Sequence, residues 1–534
     1  MKLRIVGFQG QIPKINPRLL PEAAAQIAKN VRLEDGILVP LNESVTVTTV
    51  PVPVSPVKAI HRRYDGTWLN WTTLVNAARG PVTDSDRTYY TGDGVPKVIY
   101  GAGAGTVHNL AVPAPSAGLT ISVSSGALVT ATSEAVFYAY TYVTQWGEES
   151  QPSPLSNELV CSALQIISVT GFVNPAARGI DRYRLYRSRT DSLGTTTLFF
   201  VSDIVISGFV SPKLHNPAVE KAAESLPSLD YTPPVAALAG LCAGPNGMMA
   251  AFKGKDLYFC EPYVPHAWPI KYSLSMDFPI VGLASIGSSF IVLTEGTPFI
   301  VQGTSPGNMV STKLEQNLPC MSRRSIVDLG YSVVYASTEG LVKVTNNGAE
   351  LLTGTMFTKA QWQQQFPDSI IAGQHFGKYI YSHNTGGLDG RKGKIIDLTG
   401  QQPFMVEHTE LFTATHFEVG SGELFILNQA TNINEWDSAA GAPKTITWRS
   451  RLFHMPGPTN FGCVLMETDD YTGLGTATVK VYADGLLVRS STSRNRVDRL
   501  PSGFLAVRWE IEFVGDRRIT SLNIAHSPSE LAVQ

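Results

Sequence analysis

The sequence predicts a mainly β protein, with an irregular β-propeller-like body, an inserted immunoglobulin/fibronectin-like sandwich and a C-terminal β-sheet region. The chain contains 47 glycines and 34 prolines, which separate short runs of β-branched and aromatic residues, as in all-β folds. Helical periodicity is confined to residues 20–33, where Pro21 and Glu22 favour a first helical turn. One helix is therefore expected there, in an otherwise β-rich chain.

Pairs of apolar runs joined by a glycine-containing turn recur along the chain. From residue 248 onward successive pairs lie roughly 40 to 50 residues apart, a spacing typical of four-stranded propeller blades. A stack of antiparallel sheets that is not a propeller is the alternative. The predicted strand pairs are 67–72 with 87–91, 248–252 with 256–260, 290–293 with 298–301, 333–336 with 341–344, 379–382 with 394–398, and 424–427 with 433–436.

Changes of pattern divide the chain into four predicted units. Residues 1–111 form an N-terminal segment and the first blade, and residues 227–447 form the other blades. Between them, residues 112–226 have the size of a fibronectin-like β-sandwich. Residues 448–534 form a C-terminal β-sheet region. The strands that mark the sandwich lie at 137–144, 182–187 and 197–201, and those of the C-terminal region at 478–482, 506–513 and 519–525.

Charge and hydropathy exclude several classes of protein. Lys and Arg number 42 against 44 Asp and Glu, a formal charge of -2, which gives no reason to expect tight, sequence-independent DNA binding. No secretory signal is predicted, and no membrane span, because the most apolar stretch, 235–252, is broken at 244–247. The scattered cysteines are expected to be buried thiols of a protein made in a reducing cytoplasm: Cys161, Cys242, Cys260, Cys320 and Cys463.

Motifs that would indicate ligand binding or catalysis lack part of their context. Residues 303–307 match the G-x-S-x-G spacing of a hydrolase, but Pro306 removes the amide that would bind the oxyanion, so a polar loop is predicted. Asp84, Asp86 and Asp93 lack the glycine and glutamate of a calcium loop. Residues 101–105 lack the remainder of a phosphate-binding loop.

Two other patterns have a structural and a functional interpretation. Glu435 and Asp437 flank Trp436 as glycosidase carboxylates could, but such pairs are more often solvated strand edges. The aromatic and basic strands at 138–142 and 182–187 could stack on nucleic-acid bases, but alternating aromatics are normal in sandwich strands. The histidines show no metal-binding spacing. We therefore predict no enzyme, no cofactor and no metal.

Several stretches, in order along the chain, resemble the tail nozzle or tail tubular proteins of podoviruses, the short-tailed bacteriophages. Early stretches are 10–13 (GQIP), 17–21 (PRLLP) and 28–36 (AKNVRLEDG), and the predicted sandwich contributes 140–144 (YTYVT), 147–150 (GEES), 152–154 (PSP) and 186–188 (YRS). The most specific are 260–269 (CEPYVPHAWP), 293–296 (LTEG), 320–325 (CMSRRS), 335–337 (YAS) and 339–341 (EGL). Late stretches are 482–485 (YADG) and 499–503 (RLPSG).

The resemblance implies a structural virion protein, made in the host cytoplasm and located in the tail. It implies a homohexameric ring below the portal and its adaptor, with tail fibres or spikes as further partners. Genomic double-stranded DNA would pass through the ring without sequence-specific binding, and we expect a neutral or acidic lumen, because a basic lining would retain a polyanion. A receptor- or glycan-binding tail protein is the alternative, and a propeller-type glycan lyase or hydrolase is a third possibility.

The resemblance identifies no catalytic residue. It directs attention to two of its motifs as interaction or structural sites, with candidate residues Pro262, Tyr263, His266, Trp268, Arg323 and Arg324. For the aromatic motif at 262–269 we favour packing inside the protein over a contact between subunits, because large aromatic side chains are usually buried.

Overall fold

The computed structural model describes residues 2–51, 56–81, 86–190, 196–219, 224–386, 390–398, 400, 402–428, 431–469 and 475–532. Over these residues the protein is mainly β, which confirms the predicted fold class. The described α-helices are short: α1 (Lys359–Gln363) and α2 (Pro528–Ala532). In this part of the chain, no helix has both the length and the apolar character that crossing a membrane requires.

The first seven strands do not form a unit of their own. They are β1 (Lys2–Ile5), β2 (Ala25–Lys29), β3 (Val31–Arg32), β4 (Val39–Pro40), β5 (Val45–Thr49), β6 (Ala59–Arg62) and β7 (Trp68–Trp71). Strand β3 pairs with β4 and β6 pairs with β7, whereas β1, β2 and β5 pair with strands from the second half of the chain. The N-terminal segment therefore joins distant parts of the fold.

The next four strands form an antiparallel sheet in consecutive order: β8 (Asn76–Arg79), β9 (Thr88–Thr91), β10 (Lys97–Tyr100) and β11 (Thr106–Asn109). The predicted pairing of 67–72 with 87–91 is wrong. Strand β7 pairs with β6, and β9 lies between β8 and β10. Each strand has a partner closer in sequence than the one we predicted, and closing the shorter loop costs less entropy.

A β-sandwich follows this sheet. Its strands are β12 (Thr120–Ser125), β13 (Glu134–Val136), β14 (Tyr138–Thr144), β15 (Leu159–Cys161), β16 (Ile166–Thr170), β17 (Ile180–Thr190), β18 (Thr196–Val205) and β19 (Lys213–His215). One three-stranded sheet has the order β12-β16-β19 and the other β14-β17-β18. Tyr138 and Tyr140 of β14 pack against Ile167 and Val169 of β16 in one buried cluster. Here the alternating aromatics form the sandwich core, as the structural interpretation predicted.

After the sandwich the chain returns to four-stranded antiparallel sheets. The first three are β20 (Ala239–Ala243), β21 (Met249–Lys253), β22 (Asp256–Phe259) and β23 (Ser273–Ser275); β24 (Ile280–Ile286), β25 (Ser289–Thr294), β26 (Phe299–Gln302) and β27 (Val310–Lys313); and β28 (Val327–Asp328), β29 (Val333–Ala336), β30 (Leu341–Thr345) and β31 (Gly348–Leu351). Next come β32 (Ile371–His375), β33 (Lys378–Asn384), β34 (Arg391–Asp397) and β35 (Phe404–His408), then β36 (Phe412–Glu418), β37 (Glu423–Asn428) and β38 (Asn432–Glu435). The other five predicted strand pairs are confirmed.

These sheets are arranged like propeller blades. The first strands of neighbouring sheets lie side by side: β8 with β20, β20 with β24, β28 with β32, β32 with β36, and β36 with β6. At the remaining boundary, a Cβ placed on Gly282 of β24 would lie 2.3 Å from Cδ1 of Ile326, next to β28. Strand β5 pairs with β38 and supplies the fourth strand of the last sheet. Residues from both ends of the blade region thus complete one blade.

The remaining strands form the C-terminal region. They are β39 (Ile446–Ser450), β40 (Phe453–Thr459), β41 (Cys463–Glu467), β42 (Ala477–Ala483), β43 (Leu486–Ser491), β44 (Asp498–Arg499), β45 (Ala506–Gly515) and β46 (Ser521–Ala525). One sheet has the order β1-β46-β41-β44. The other is a 10-stranded sheet with the order β32-β33-β34-β35-β2-β39-β45-β42-β43, in which β40 also pairs with β45. The C-terminal region and a propeller blade therefore share a sheet.

The helix predicted over residues 20–33 is wrong, because β2 and β3 occupy this segment. Strand β2 lies between two others, parallel to β35 through Lys29 and Glu407 and antiparallel to β39 from Ala25 through Lys29. Ala25 and Ala28 are fully buried there. The partner strands are several hundred residues away in sequence. Tertiary pairing therefore overrides the local helical pattern.

Replacing Ala28 with Asp should destabilise the whole chain. The carboxylate would be buried without a cation at the centre of the shared sheet, at a cost of about 3–5 kcal/mol. We expect lower soluble yield and a lower midpoint of thermal unfolding. The control is Leu19→Asp, at a position 74% exposed, which should change stability by less than about 0.5 kcal/mol. Equal losses in the two variants would show that β2 is not held as described.

Candidate functional site

The motif at residues 260–269 forms a compact series of turns after β22. The amide of Glu261 donates to the carbonyl of Ala267 at 2.9 Å, and the amide of Tyr263 donates to Gly247 at 2.9 Å. Tyr263 has a φ of 59° and its side chain is 60% exposed. Pro262 precedes it in the same turn. The motif is thus held by backbone hydrogen bonds within itself and to neighbouring segments such as the turn at Gly247.

Trp268 is the buried anchor of this motif, with 2% of its surface exposed. Its indole Nε1 donates to the carbonyl of Pro265 at 2.7 Å, and its amide donates to Thr232 at 2.7 Å. The ring belongs to an apolar cluster with Tyr89 and Tyr100 of the first blade and Met249 of the next. Trp268 therefore packs between two blades, on the side where the sandwich is inserted.

His266 connects the same motif to the sandwich. Its Nε2 lies 3.0 Å from the backbone carbonyl of Glu149, and because a carbonyl only accepts, the ring nitrogen donates. The ring also packs edge-on against Tyr231, with centroids 5.9 Å apart. Burial lowers the pKa of His266, which favours the neutral ring. We refer to the region around His266, Glu148 and Glu149 as the sandwich–blade junction.

Glu148 binds the first blade from within this junction. Its carboxylate accepts from the Tyr100 hydroxyl at 2.5 Å and from Arg178 Nη2 at 2.9 Å, and Arg87 lies 3.7 Å away. The Tyr100 ring stacks on Trp146 with centroids 3.8 Å apart. Burial, followed by the charge of Glu148, raises the pKa of Tyr100. Tyr100 therefore stays protonated and serves as a hydrogen-bond donor.

Glu149 binds the sandwich and the chain that leaves it. Its Oε1 accepts from Tyr186 at 2.6 Å, from Thr141 at 2.9 Å and from Ser228 at 3.2 Å. Its Oε2 accepts from Arg184 Nη1 at 3.0 Å. Two adjacent glutamates thus hold the two modules, and each is paired with arginine and hydroxyl donors. A buried carboxylate that lost these partners would be left uncompensated, which would destabilise the junction.

Sequence reasoning selected residues 147–150 only for their resemblance and did not predict this role. Two consecutive glutamates beside a tyrosine-rich buried strand were a usable signal, because buried carboxylates require cationic partners. Arg178 and Arg184 could not be assigned as those partners from spacing alone.

Arg323 and Arg324 lie elsewhere, at the axis of the blades. No described hydrogen bond, ion pair or ring contact joins them to the 262–268 motif, so the six candidate residues form two separate groups. Arg323 Nε donates to the carbonyl of Val281 in β24 at 2.7 Å, and its guanidinium lies 4.9 Å from the ring centroid of Phe252. Arg323 therefore holds the boundary between the β24–β27 sheet and the β28–β31 sheet.

A cavity of about 150 Å³ lies beside these arginines. We call it the axial cavity, because residues of the first strands β6, β32 and β36 and of the segment leading into β8 line it. The Nη2 atom of Arg324 is buried and has no hydrogen-bond partner within the described structure, and the same is true of Asn76 Oδ1. Burial, followed by the nearby charge of Arg391, lowers the pKa of Arg324 to about 10.

Two buried histidines lie on neighbouring axial strands. The rings of His61 in β6 and His416 in β36 meet edge to face, with centroids 5.0 Å apart. Burial, followed by the neighbouring His416, lowers the pKa of His61 to about 3. Burial, followed by the charge of Arg62, lowers the pKa of His416 to about 4. Both rings are neutral at neutral pH.

The other sequence predictions have mixed outcomes. Residues 303–307 lie in a loop with a 3-10 turn at Pro306–Asn308, as predicted. Interpreting Asp437 as a solvated edge is wrong, because its side chain is 2% exposed and lies 3.3 Å from Arg32. Of the cysteines, Cys242 is only partly buried and the other four are buried. Asp84 lies outside the described residues.

The described part of the chain contains no cluster of three or more histidine, cysteine or acidic side chains placed to hold a metal ion. Pro262, Tyr263, His266 and Trp268 lie in structural contacts rather than around a cleft. The arrangement of the 262–268 motif therefore indicates packing.

Comparisons with known proteins add little to this description. No protein-family model and no curated protein matches the chain. Similar solved structures include virginiamycin B lyase from Staphylococcus aureus, at 10% identity and a TM-score of 0.27 over 68% of this chain and 99% of that one. BBS1N in complex with ARL6DN has 8% identity and a TM-score of 0.29 over 75% and 98% of the two chains. PorZ from Porphyromonas gingivalis has 10% identity and a TM-score of 0.22 over 71% and 42%.

Replacing Trp268 with Ala should impair folding before it impairs any assembly. Loss of a buried indole typically costs about 3–5 kcal/mol, and here two blades would lose a shared anchor. We expect less soluble protein and a lower unfolding midpoint. Tyr263→Ala, in the same motif but largely exposed, is the matched control and should fold normally. A soluble, folded Trp268→Ala protein with unchanged stability would reverse this assignment.

Acid should destabilise the axial strands through His61 and His416. Their folded-state pKa values lie below the ordinary 6.5, so below pH 6.5 the unfolded chain binds protons that the folded chain does not. Stability is complete above about pH 6.5 and falls, by up to roughly 1.4 kcal/mol per pH unit for each histidine, until about pH 4 for His416 and about pH 3 for His61. His416→Gln should flatten the pH dependence of the unfolding midpoint, whereas His454→Gln, at an exposed position, should not. Identical slopes in all three proteins would contradict this account.

Proposed function

We propose that this chain is a structural subunit of a short-tailed bacteriophage tail, a nozzle protein that forms a homohexameric ring in the DNA ejection conduit. The portal and its adaptor, together with tail fibres or spikes, would be its neighbours. The observation that carries the proposal is the ordered series of nozzle-like motifs along most of the chain. It is supported by where those motifs lie in the fold.

The motifs lie at connections between modules. Residues 28–36 overlap strands β2 and β3, residues 147–150 and 260–269 form the sandwich–blade junction, and residues 320–325 reach the axis between β24 and β28. Residues 482–485 turn between β42 and β43. A family whose function depends on a rigid body needs its recurring residues at such connections, whereas an enzyme family needs them around a cleft. This placement favours a mechanical function.

Exposed apolar side chains on separate modules are consistent with a ring. Leu486, at the start of β43, is 74% exposed, and Leu487 is 52% exposed. Strand β43 is the last strand of the 10-stranded sheet, and its outer edge has no partner among the described strands. In a cyclic assembly one such surface on each subunit meets a different surface on the next, and the contact repeats until the ring closes. Burial of these leucines between subunits would stabilise the ring.

The near-neutral charge is compatible with a conduit. Each phosphate neutralised by a lysine or arginine adds salt-dependent affinity for DNA, so a lumen lined throughout by cations would slow a passing genome. A formal charge of -2 over the chain permits a lumen that is neutral or acidic. The proposed function requires no catalytic residue and no cofactor.

A receptor- or glycan-binding tail protein is the second candidate, and one observation favours it. A groove of about 830 Å³ opens on the sandwich, and its lining includes the partly exposed Phe200 and the polar residue Asn216. Aromatic rings beside polar groups suit a sugar ring, which has apolar faces and hydroxyl edges. Binding of the purified protein to host polysaccharide would support this candidate.

Negative-stain images of the purified chain test the proposed function. We expect rings with a central hole and six-fold symmetry, located on the tail axis when the same images are taken of virions. The variant Leu486→Glu/Leu487→Glu should remain monomeric with an unchanged unfolding midpoint, because it alters only an exposed edge. Val310→Glu, at a 65% exposed position on a blade, is the control and should form rings.

Three results would contradict the proposal. They are a monomer at every concentration in the presence of its tail partners, a virion without this chain on its axis, and a ring whose lumen is strongly positive along its whole length.

A further inference from the structure

An exposed turn near the start of the chain, which we call the N-terminal tip, comprises residues 16–19. Its amides at Arg18 and Leu19 donate to the side-chain and backbone oxygens of Asn16 at 3.1 and 2.8 Å, so the turn has a fixed shape. Leu19 is 74% exposed. The exposed side chain of Arg18 has no ion pair or hydrogen bond among the described residues. The tip therefore presents a cation and an apolar side chain together.

The N-terminal tip lies at the same end of a sheet as the exposed leucines of β43. The amide of Leu452 donates to the carbonyl of Pro17 at 3.1 Å, which anchors the tip where β40 begins. One row of directly paired residues leads from there across β45 and β42 to β43: Phe453, Trp509, Ala483 and Leu486. The row spans three strand spacings of about 4.8 Å each. The tip and the β43 leucines are therefore parts of one surface.

A groove of about 580 Å³ opens where the first strands of three blades end. We call it the turn groove, because β28, β32 and β36 each lead into a turn there. Val419, in the turn after β36, lines the groove and is 83% exposed, and Phe417 lines it from β36 itself. Gln374 of β32 donates to the backbone carbonyl of Asp328 in β28 at 2.7 Å. The groove is thus open, partly apolar and braced between blades.

Of the described residues that line the turn groove, one is acidic and none is basic. The acid, Asp328, is exposed and forms no ion pair in the described part of the chain. Its Oδ1 accepts from the amide of Gly330 at 2.7 Å, which holds the carboxylate at the groove and leaves Oδ2 without a described partner. A guanidinium brought to this groove would complement the carboxylate, whereas a second acid would be repelled.

The N-terminal tip and the turn groove are complementary in both charge and apolar character. The tip offers an unpaired arginine beside an exposed leucine, and the groove offers an unpaired acid beside exposed apolar side chains. No described contact joins the two within one chain. A cyclic assembly joins two different surfaces of the same chain. The tip is also continuous with the β43 edge, which the proposed ring would bury, so a second copy is the partner that fits the groove.

We propose that the N-terminal tip of each subunit docks into the turn groove of the next copy in the ring. Arg18 pairs with Asp328, and Leu19 packs against Val419. Burial of the apolar side chains supplies the affinity. The ion pair orients the two subunits and disfavours contacts that would bring like charges together. This contact rests on the proposed ring function, and it assigns the two surfaces that meet.

Charge reversal with rescue tests the contact, with ring formation by the full-length chain followed by analytical ultracentrifugation. Arg18→Asp and Asp328→Arg, each alone, should raise the concentration needed for ring formation by about tenfold, because like charges then face each other. The double variant Arg18→Asp/Asp328→Arg should assemble like the unmodified chain, because it restores an opposite pair. Lys213→Asp, beside the exposed Leu214 of the sandwich, is the matched control and should assemble normally.

Disulfide cross-linking provides a second readout of the same contact. Leu19→Cys combined with Val419→Cys should form a ladder of covalent oligomers on oxidation, whereas each single cysteine variant should not. Unfolding midpoints of all variants are measured below the concentration at which rings form. Rescue by the double charge reversal separates a lost contact from a folding defect, because a change in the tip would not repair a misfolded groove.

Rings formed equally well by Arg18→Asp, Asp328→Arg and the unmodified chain would overturn this contact and leave the ring itself intact. An effect of Asp328→Arg alone, without rescue, would show that a segment other than the tip fills the groove, and would also overturn the proposal. If the unmodified chain forms no ring with its tail partners, the proposed function fails. Cross-linking of the paired cysteine variant would then still support the contact in another assembly, and its absence would overturn the contact as well.

Discussion

Strand β2 imposes the constraint on which the remaining architecture depends. Because it is hydrogen-bonded to β35 on one side and to β39 on the other, a blade and the C-terminal region become one sheet. Strand β5 acts similarly when it completes the last blade beside β38, with Thr46 bonded to Asn434 across 388 residues of sequence. The N-terminal strands therefore connect modules that the middle of the chain builds separately. Loss of this pairing would expose several strand edges at once, and exposed edges promote aggregation.

The sandwich is attached by a different interaction, the burial of charge. Glu148 and Glu149 are adjacent, yet one binds Arg178 and Tyr100 and the other binds Arg184 and Tyr186. Breaking a buried pair leaves an uncompensated charge, which costs more than the intact pair contributes. The pairing of both carboxylates therefore stabilises the junction. The axial arginines differ, since neither Arg323 nor Arg324 forms an ion pair among the described residues, whereas Arg178 and Arg184 pair with the two glutamates.

The proposed ring function depends on how firmly the modules are connected. Connections held by paired carboxylates suit a rigid body, and the proposed ring subunit would need rigidity more than a reactive cleft. In the proposed ring, the exposed leucines at the β43 edge would be buried against a neighbouring subunit.

Sequence alone determined the β class and the local hairpins, such as 290–293 with 298–301, because a glycine turn places both partners within a few residues. It also indicated the interior position of Trp268. Only the tertiary structure decided that residues 25–29 form a strand, that Asp437 is buried against Arg32, and that Arg324 faces a cavity. Those outcomes depend on partners distant in sequence. A local sequence pattern indicates which residues prefer burial. The tertiary fold of the whole chain decides which of those residues come into contact.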